Sequence, residues 1–288
     1  MKALKALFLI VVVLVVLVVG GIAALLAFVD PNDYKDEIAA RVRATTGREL
    51  VLEGPLELGL YPKIRLQAGP LRLGNAAGFG DEPFFAAERI QVAVATLPLL
   101  SRRLEMDKVI LHGLNLNLAR NAAGTTNWDD LAGDSAEADE ERGGDGLAAI
   151  VLGGVDVQNG RVHYADATTG QEVTIDGITA ETGALTLGEP VAFSLALSAR
   201  ANQPTLDSDV RLSGTVSYNL DDEHYVIAPL ALETVMRGKH LPGGETRIDF
   251  GATIDINRAA ETLTVSDLAL SGLETSVTGA FAARDIED

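Results

Sequence analysis

Leu50-Val51-Leu52-Glu53-Gly54-Pro55-Leu56-Glu57-Leu58-Gly59-Leu60-Tyr61-Pro62-Lys63-Ile64-Arg65-Leu66-Gln67 is where the chain changes its period. Before Gly47, apolar residues recur about every fourth position. After it they recur at every second. Leu50, Leu52, Leu56, Leu58 and Leu60 alternate with Glu and Gly, and Ile64 and Leu66 alternate with Lys63, Arg65 and Gln67. Successive side chains of a strand point to opposite faces, so this alternation predicts half-buried strands. Pro55, Pro62 and Gly69-Pro70 punctuate the runs, which reads as short strands of a meander.

The same pattern continues toward the C-terminus. Leu71 and Leu73 flank Arg72, and a Gly-rich loop spans Asn75 to Phe85. Ile90, Val92 and Val94 then form a strand, and a turn falls at Leu97-Pro98-Leu99-Leu100. Val109, Leu111, Leu114, Leu116 and Leu118 alternate with His112, Asn115 and Asn117, two asparagines expected on the polar face. Val155, Val157, Asn159-Gly160, Val162 and Tyr164 read as a hairpin, because Asn-Gly favours the type I′ turn that matches strand twist. Alternation then runs through Val173, Phe193, Leu212, Leu232 and Ile248 to Phe281, with no second convincing helix after Gly47. The fold is therefore mainly β. Many strands each carry one apolar face and no helix is available to cover it. Either two sheets close on each other as a sandwich, or one sheet curls and leaves an apolar groove. Alternation alone leaves both open.

Toward the N-terminus, Asp30-Pro31 opens a short amphipathic helix. Asp30 caps it and Pro31 suits its first position. Tyr34, Ile38, Val42 and Thr45 form its expected apolar stripe, and Gly47 ends it. Before it, Ala6 to Val29 carries no charge, and a helix of roughly 20 apolar residues spans a bilayer core. Lys2 and Lys5 precede the run, while Asp30, Asp33, Asp36 and Glu37 follow it. This predicts a single-pass transmembrane anchor with a cytoplasmic N-terminus and a translocated body, in a Gram-negative cell the periplasm. The run exceeds the apolar core of about 7–15 residues that a signal peptide carries, and Leu26-Ala27-Phe28-Val29 is a poor cleavage site. No Cys follows, which excludes a lipoprotein.

The 288 residues carry a net charge of −18 with no Cys, and aromatics are only 5%. An acidic surface repels phosphate backbones, which argues against nucleic-acid binding. Without Cys there are no disulfides, thiolate nucleophiles or Cys-based metal sites. Asn121 to Leu131 is a polar loop holding Trp128, the one Trp, expected to plug the end of the sheet. Residues 132–149 are rich in Asp, Glu, Gly and Ala and read as disordered, either a linker or an insertion looped out of one sheet. The expected organisation is thus 1–29 stub and anchor, 30–131 helix and first β region, 132–149 acidic insertion, and 150–288 a continuing β region.

No catalytic constellation is legible. His112, His163, His224 and His240 lack metal-ligand spacing, and His163 is expected to face solvent. There is no His-Glu-x-x-His, Gly-x-Ser-x-Gly or Ser-x-x-Lys. Asp129-Asp130, Asp207-Asp209 and Asp221-Asp222 are acid pairs without the spacing of a calcium loop. No cofactor, metal site or enzymatic activity is expected. The candidate site is instead a surface: Leu56, Leu58, Leu60, Ile64, Leu66, Ile90, Val92, Val94, Leu114, Leu116 and Leu118.

The first half resembles the N-terminal region of the AsmA family. The resemblance is carried by the anchor, Asp30-Pro31-Asn32-Asp33-Tyr34, Thr46-Gly47-Arg48-Glu49-Leu50, Gly54-Pro55-Leu56, Tyr61-Pro62, Asn75-Ala76-Ala77-Gly78-Phe79-Gly80, Leu97-Pro98-Leu99-Leu100 and the block from Asn121 to Trp128, in that order. The second half is similar in character only. The resemblance implies an inner-membrane protein with a periplasmic body. Larger members look like bridge-type lipid carriers with an apolar β-groove, associated with outer-membrane biogenesis and phospholipid movement. On that basis the expected partners are the membrane and phospholipid. The rival expectation is a non-catalytic scaffold for outer-membrane protein assembly.

Overall fold

The structure, a computed structural model, describes residues 30–59, 63–95, 104–131, 150–186, 188–219 and 222–285. The expected anchor, the turn at Leu97–Leu100, the acidic segment 132–149 and Leu60 lie outside the described residues. A 3-10 turn, Pro31–Tyr34, leads into α1, Lys35–Thr46. The Asp30 carboxylate accepts from the Asn32 N–H at 2.8 Å, as an N-cap should. Gly47 has φ of 71° and donates to the Arg43 carbonyl at 2.8 Å, closing the helix in the left-handed conformation that glycine adopts without strain. Among the described residues no helix is long and apolar enough to cross a membrane.

The face of α1 turned toward the rest of the molecule differs from the expected stripe. Lys35, Ala39, Val42 and Thr46 are half-buried, whereas Tyr34, Ile38 and Thr45 are exposed. The face toward the sheet mixes Ala39, Val42 and Thr46 with the stem of Lys35, and Tyr34 and Ile38 are left on the helix's flank.

Among the described residues eighteen strands follow: β1 (Leu50–Leu52), β2 (Leu56–Gly59), β3 (Lys63–Ala68), β4 (Leu71–Leu73), β5 (Phe85–Ala87), β6 (Arg89–Ala95), β7 (Leu104–Met106), β8 (Val109–His112), β9 (Asn115–Arg120), β10 (Ile150–Leu152), β11 (Val155–Asp166), β12 (Gln171–Thr182), β13 (Val191–Asn202), β14 (Thr205–Asn219), β15 (His224–Arg237), β16 (Glu245–Asn257), β17 (Thr262–Gly272) and β18 (Thr275–Arg284). All belong to one sheet. The short ones pair end to end. β1 lies on β4 and β2 on β3; β4 lies on β5 and β3 on β6. From β11 to β18 the sheet is a plain antiparallel meander. It is not antiparallel throughout. β10 lies parallel to β7, and β11 lies parallel to β8 and β9. β9 therefore ends and β10 begins at opposite ends of the strands, and β9 and β11, on the two sides of this crossover, are direct neighbours.

The expected hairpin at Asn159-Gly160 does not form. β11 runs straight through these residues as one strand. Asn159 takes φ of 54°, and the pairing with β12 shifts between Val157 and Gly160. This is a β-bulge, and it explains the sequence. Val155 and Val157 fall in one alternation phase, and Val162 and Tyr164 in the other. A bulge absorbs the extra residue and keeps both pairs on one face. Gly177, at φ of 61°, does the same for β12. In β1 to β9 the interruptions at Gly54, Gly69, Glu88 and Gly113 line up with this shift. The Gly54 N–H donates to the Pro70 carbonyl, Glu88 to His112, and Gly113 to Gln158. A Cβ on Gly54 would overlap the Gly69 carbonyl, so close backbone approach requires glycine there.

Candidate functional site

Cα-paired residues on adjacent strands project to the same side of a sheet. Following the register across the molecule gives one unbroken row: Leu56, Ala68, Ile90, Leu111, Val157, Ala180, Leu195, Leu212, Leu232, Phe250, Leu270, Val277. Every member is apolar. At about 4.8 Å per strand the row is roughly 50 Å long. The row one residue away projects to the opposite side: Glu57, Gln67, Gln91, Ile110, Asp156, Glu181, Ser194, Ser213, Ala231, Gly251, Ala269, Thr278. That row is polar or small apart from Ile110. The two faces of one sheet therefore have different chemistry along its whole width.

Further apolar rows lie on the first face. Leu58 pairs with Leu66 and Leu66 with Val92; Ile64 pairs with Val94 and Val94 with Met106. Leu50, Leu73, Phe85, Leu116, Val162 and Ile175 form another row, and Leu118 pairs with Tyr164 and Tyr164 with Val173. Val191, Val216, Ile227, Ile254, Val265 and Phe281 form a row nearer the other end. The strand β13 pairs with β14 in one uniform register, so Leu195, Leu197, Ala199 and Ala201 share a face. That continuity ties the rows above and below the bulges to the same side.

Most of the described candidates thus fall together. Leu56, Leu58, Ile64, Leu66, Ile90, Val92, Val94, Leu116 and Leu118 sit on the apolar face; Leu114 lies in the break between β8 and β9, outside the paired register, and Leu60 lies outside the described residues. Sequence reading missed the larger half of this surface, from Leu195 to Val277. Its alternation was visible, but pairing register is a long-range property that no single strand carries.

Burial shows that this face is open. Leu56 is buried, yet Leu195, Leu212, Leu232 and Phe250 are only half-buried. Leu66 is 44% exposed, Leu270 40%, Val277 49% and Phe281 52%. In a sandwich the middle of such a row would be sealed. Here a single curled sheet leaves it as a trough, and contiguous exposed apolar area of this extent marks a binding surface.

The opposite face carries ion pairs. Arg237 reaches Asp209 at 2.7 Å and Glu245 at 2.9 Å, and Arg247 reaches Asp249 at 3.0 Å. The Arg237 guanidinium, helped by the Ser198 hydroxyl, holds the Asp209 carboxyl below its ordinary range. His163, between Val162 and Tyr164, is on this polar side, half-buried with Nδ1 3.1 Å from the Thr174 hydroxyl. Among the described residues no group of three or more acids and histidines could hold a metal ion.

A polar knot ties the chain after α1 to β9 and the loop that follows it. Arg48 is buried, with its guanidinium 4.4 Å over the Phe84 ring. It donates to the Asn127 carbonyl at 2.6 Å and through Nε to Asp130 at 3.0 Å. Asn127 is fully buried. Its side chain accepts from the Ala119 N–H at 2.9 Å and donates to Asn75 at 2.9 Å and to the Asn117 carbonyl at 2.8 Å. Asn117 itself does not line open solvent: it is half-buried and donates to the Pro83 carbonyl at 2.7 Å. Trp128, half-buried, lies with its ring centre 6.4 Å from that of Tyr164.

An open β-sheet with one continuous apolar face and one ion-paired face is the class defined by this geometry. The sequence model of the AsmA family matches residues 1–224, and the chain belongs to that family. The match runs past the Trp128 block into the meander, well beyond the half legible as a resemblance. The chain is similar to Protein AsmA of Escherichia coli (strain K12), 35% identical over 98 residues, which is 34% of this chain and 16% of that protein. The chain therefore matches about a sixth of that relative's length. No solved structure matches.

Proposed function

We propose that the protein is an envelope protein, anchored in the inner membrane by Ala6 to Val29, whose sheet binds and passes phospholipid for outer-membrane upkeep. The observation that carries this reading is the unbroken apolar row from Leu56 to Val277, backed one residue away by a polar one. Acyl chains lie against the first face and headgroups stay in water at its rim. No bond is made or broken, and no cofactor takes part.

Energetics favour exchange over capture. Each methylene removed from water contributes about 0.8 kcal/mol. A lipid leaving a bilayer, however, gives up surroundings as apolar as the leucines it meets. Transfer between membrane and trough is then nearly balanced, which suits a carrier.

The test is lipid content. Residues 30–288, exported to the periplasm and purified without detergent, are extracted and analysed by mass spectrometry. Phospholipid near stoichiometry is expected. Leu232→Glu, on the apolar row, should abolish it with the fold retained, and Ala231→Glu, on the opposite row, should not. A well-folded, lipid-free wild type would defeat the reading and favour the scaffold.

A further inference from the structure

The exposed flank of α1 has no partner among the described residues. Tyr34 is 50% exposed and Ile38 39%. With Arg41 and Thr45, both exposed, they recur at i, i+4, i+7 and i+11 and so share one side of the helix. This side is distinct from Lys35, Ala39, Val42 and Thr46, which turn toward the sheet. Asp36 and Arg43 project away from it.

We propose that the Tyr34–Ile38–Arg41 flank of α1 rests on the surface of the bilayer from which the chain emerges. The proposal rests on the anchor reading of Ala6 to Val29. That run ends five residues before Tyr34, so even extended chain places the ring within roughly 17 Å of it. The 3-10 turn Pro31–Tyr34 shortens the span further, at about 2 Å per residue. Headgroup layers add several ångströms beyond the hydrocarbon. Tyr suits this boundary, with an apolar ring and a wet hydroxyl, and Arg41 can reach lipid phosphates. A helix lying in the interface buries just such a stripe.

The contact has a consequence for the trough. The Asn32 side chain accepts from the Leu56 N–H at 2.9 Å and donates to the Leu56 carbonyl at 3.1 Å. Leu56 is the first member of the apolar row. A helix held on the membrane therefore holds that end of the row beside the lipid source.

The chain has no Cys, so single cysteines label cleanly. Full-length Ile38→Cys and Ala40→Cys, the latter on the other side of α1, are nitroxide-labelled and reconstituted in phosphatidylcholine vesicles. Spin-label accessibility to oxygen and to a water-soluble nickel complex is then measured. The label at position 38 should be severalfold less accessible to nickel than that at 40 and should favour oxygen. Equal nickel access in protein that resists a carbonate wash overturns the contact and leaves the anchor standing. Removal of the protein by that wash overturns the anchor, and the contact with it. Protection at 38 that persists in detergent and grows with protein concentration assigns the flank to a second copy, which also overturns the proposal.

Discussion

Asn127 and Asp130 both hold Arg48, and they do so differently. Asn127 is fully buried and satisfies three neighbours. Asn127→Ala leaves the Ala119 N–H without an acceptor and the Asn117 carbonyl without that donor. The expected cost is about 3 kcal/mol, read as a lower urea midpoint at unchanged slope. Asp130 is held below the ordinary carboxylate range, first by its hydrogen bond from Arg48. A carboxylate with a depressed folded pKa contributes stability that is present above its unfolded value, near 4, and lost as pH falls through the folded value. Asp130→Asn should lower the melting temperature at pH 7 and flatten its fall below about pH 4. Equal falls in both proteins would show that the pair is not a source of acid sensitivity. Asn127 and Asp130 were in the polar loop Asn121 to Leu131, but their partner Arg48 lies far away in sequence, and that contact was not legible.

At the scale of elements, bulges decide which face a side chain serves. The alternation of single runs was legible, and so were Asp30 as the cap of the 3-10 turn and Gly47 as the end of α1. The break in alternation at Asn159-Gly160 was read as a hairpin turn, but such a break fits a bulge equally, and the bulge in β12 went unread. Asn-Gly favours the turn locally, and the parallel neighbour β9, from across the crossover, overrides it by pairing along Arg161 to Asp166. For α1, periodicity located a stripe but could not say that the sheet would take Ala39, Val42 and Thr46 and leave Tyr34 and Ile38 outside. The bulge reading is testable. Asn159→Gly, compatible with φ of 54°, should leave stability within about 1 kcal/mol of wild type. Asn159→Val should cost about 1–2 kcal/mol, because a β-branched residue is strained in the left-handed region. Chemical denaturation separates the two. Were both neutral, position 159 would not hold the left-handed conformation.

Across the whole molecule, the net charge of −18 acts on what the trough accepts. Headgroups at the rim of an acidic protein meet repulsion when they are anionic and little when they are zwitterionic. Uptake of phosphatidylglycerol from vesicles should therefore trail that of phosphatidylethanolamine at low salt, and the gap should narrow toward 0.5 M salt as screening shortens to about 4 Å. A salt-independent ratio would place the headgroup away from the protein's field. The central claim, though, is that acyl chains occupy one face and not the other. The direct measurement is photocrosslinking in cells, with a photoreactive phenylalanine at Leu195 or Leu232 on the apolar row and at Ser194 or Ala231 on the opposite row. Mass spectrometry of the purified protein should show phospholipid adducts at 195 and 232 and none at 194 and 231. Adducts at all four positions, or at none, would contradict the account.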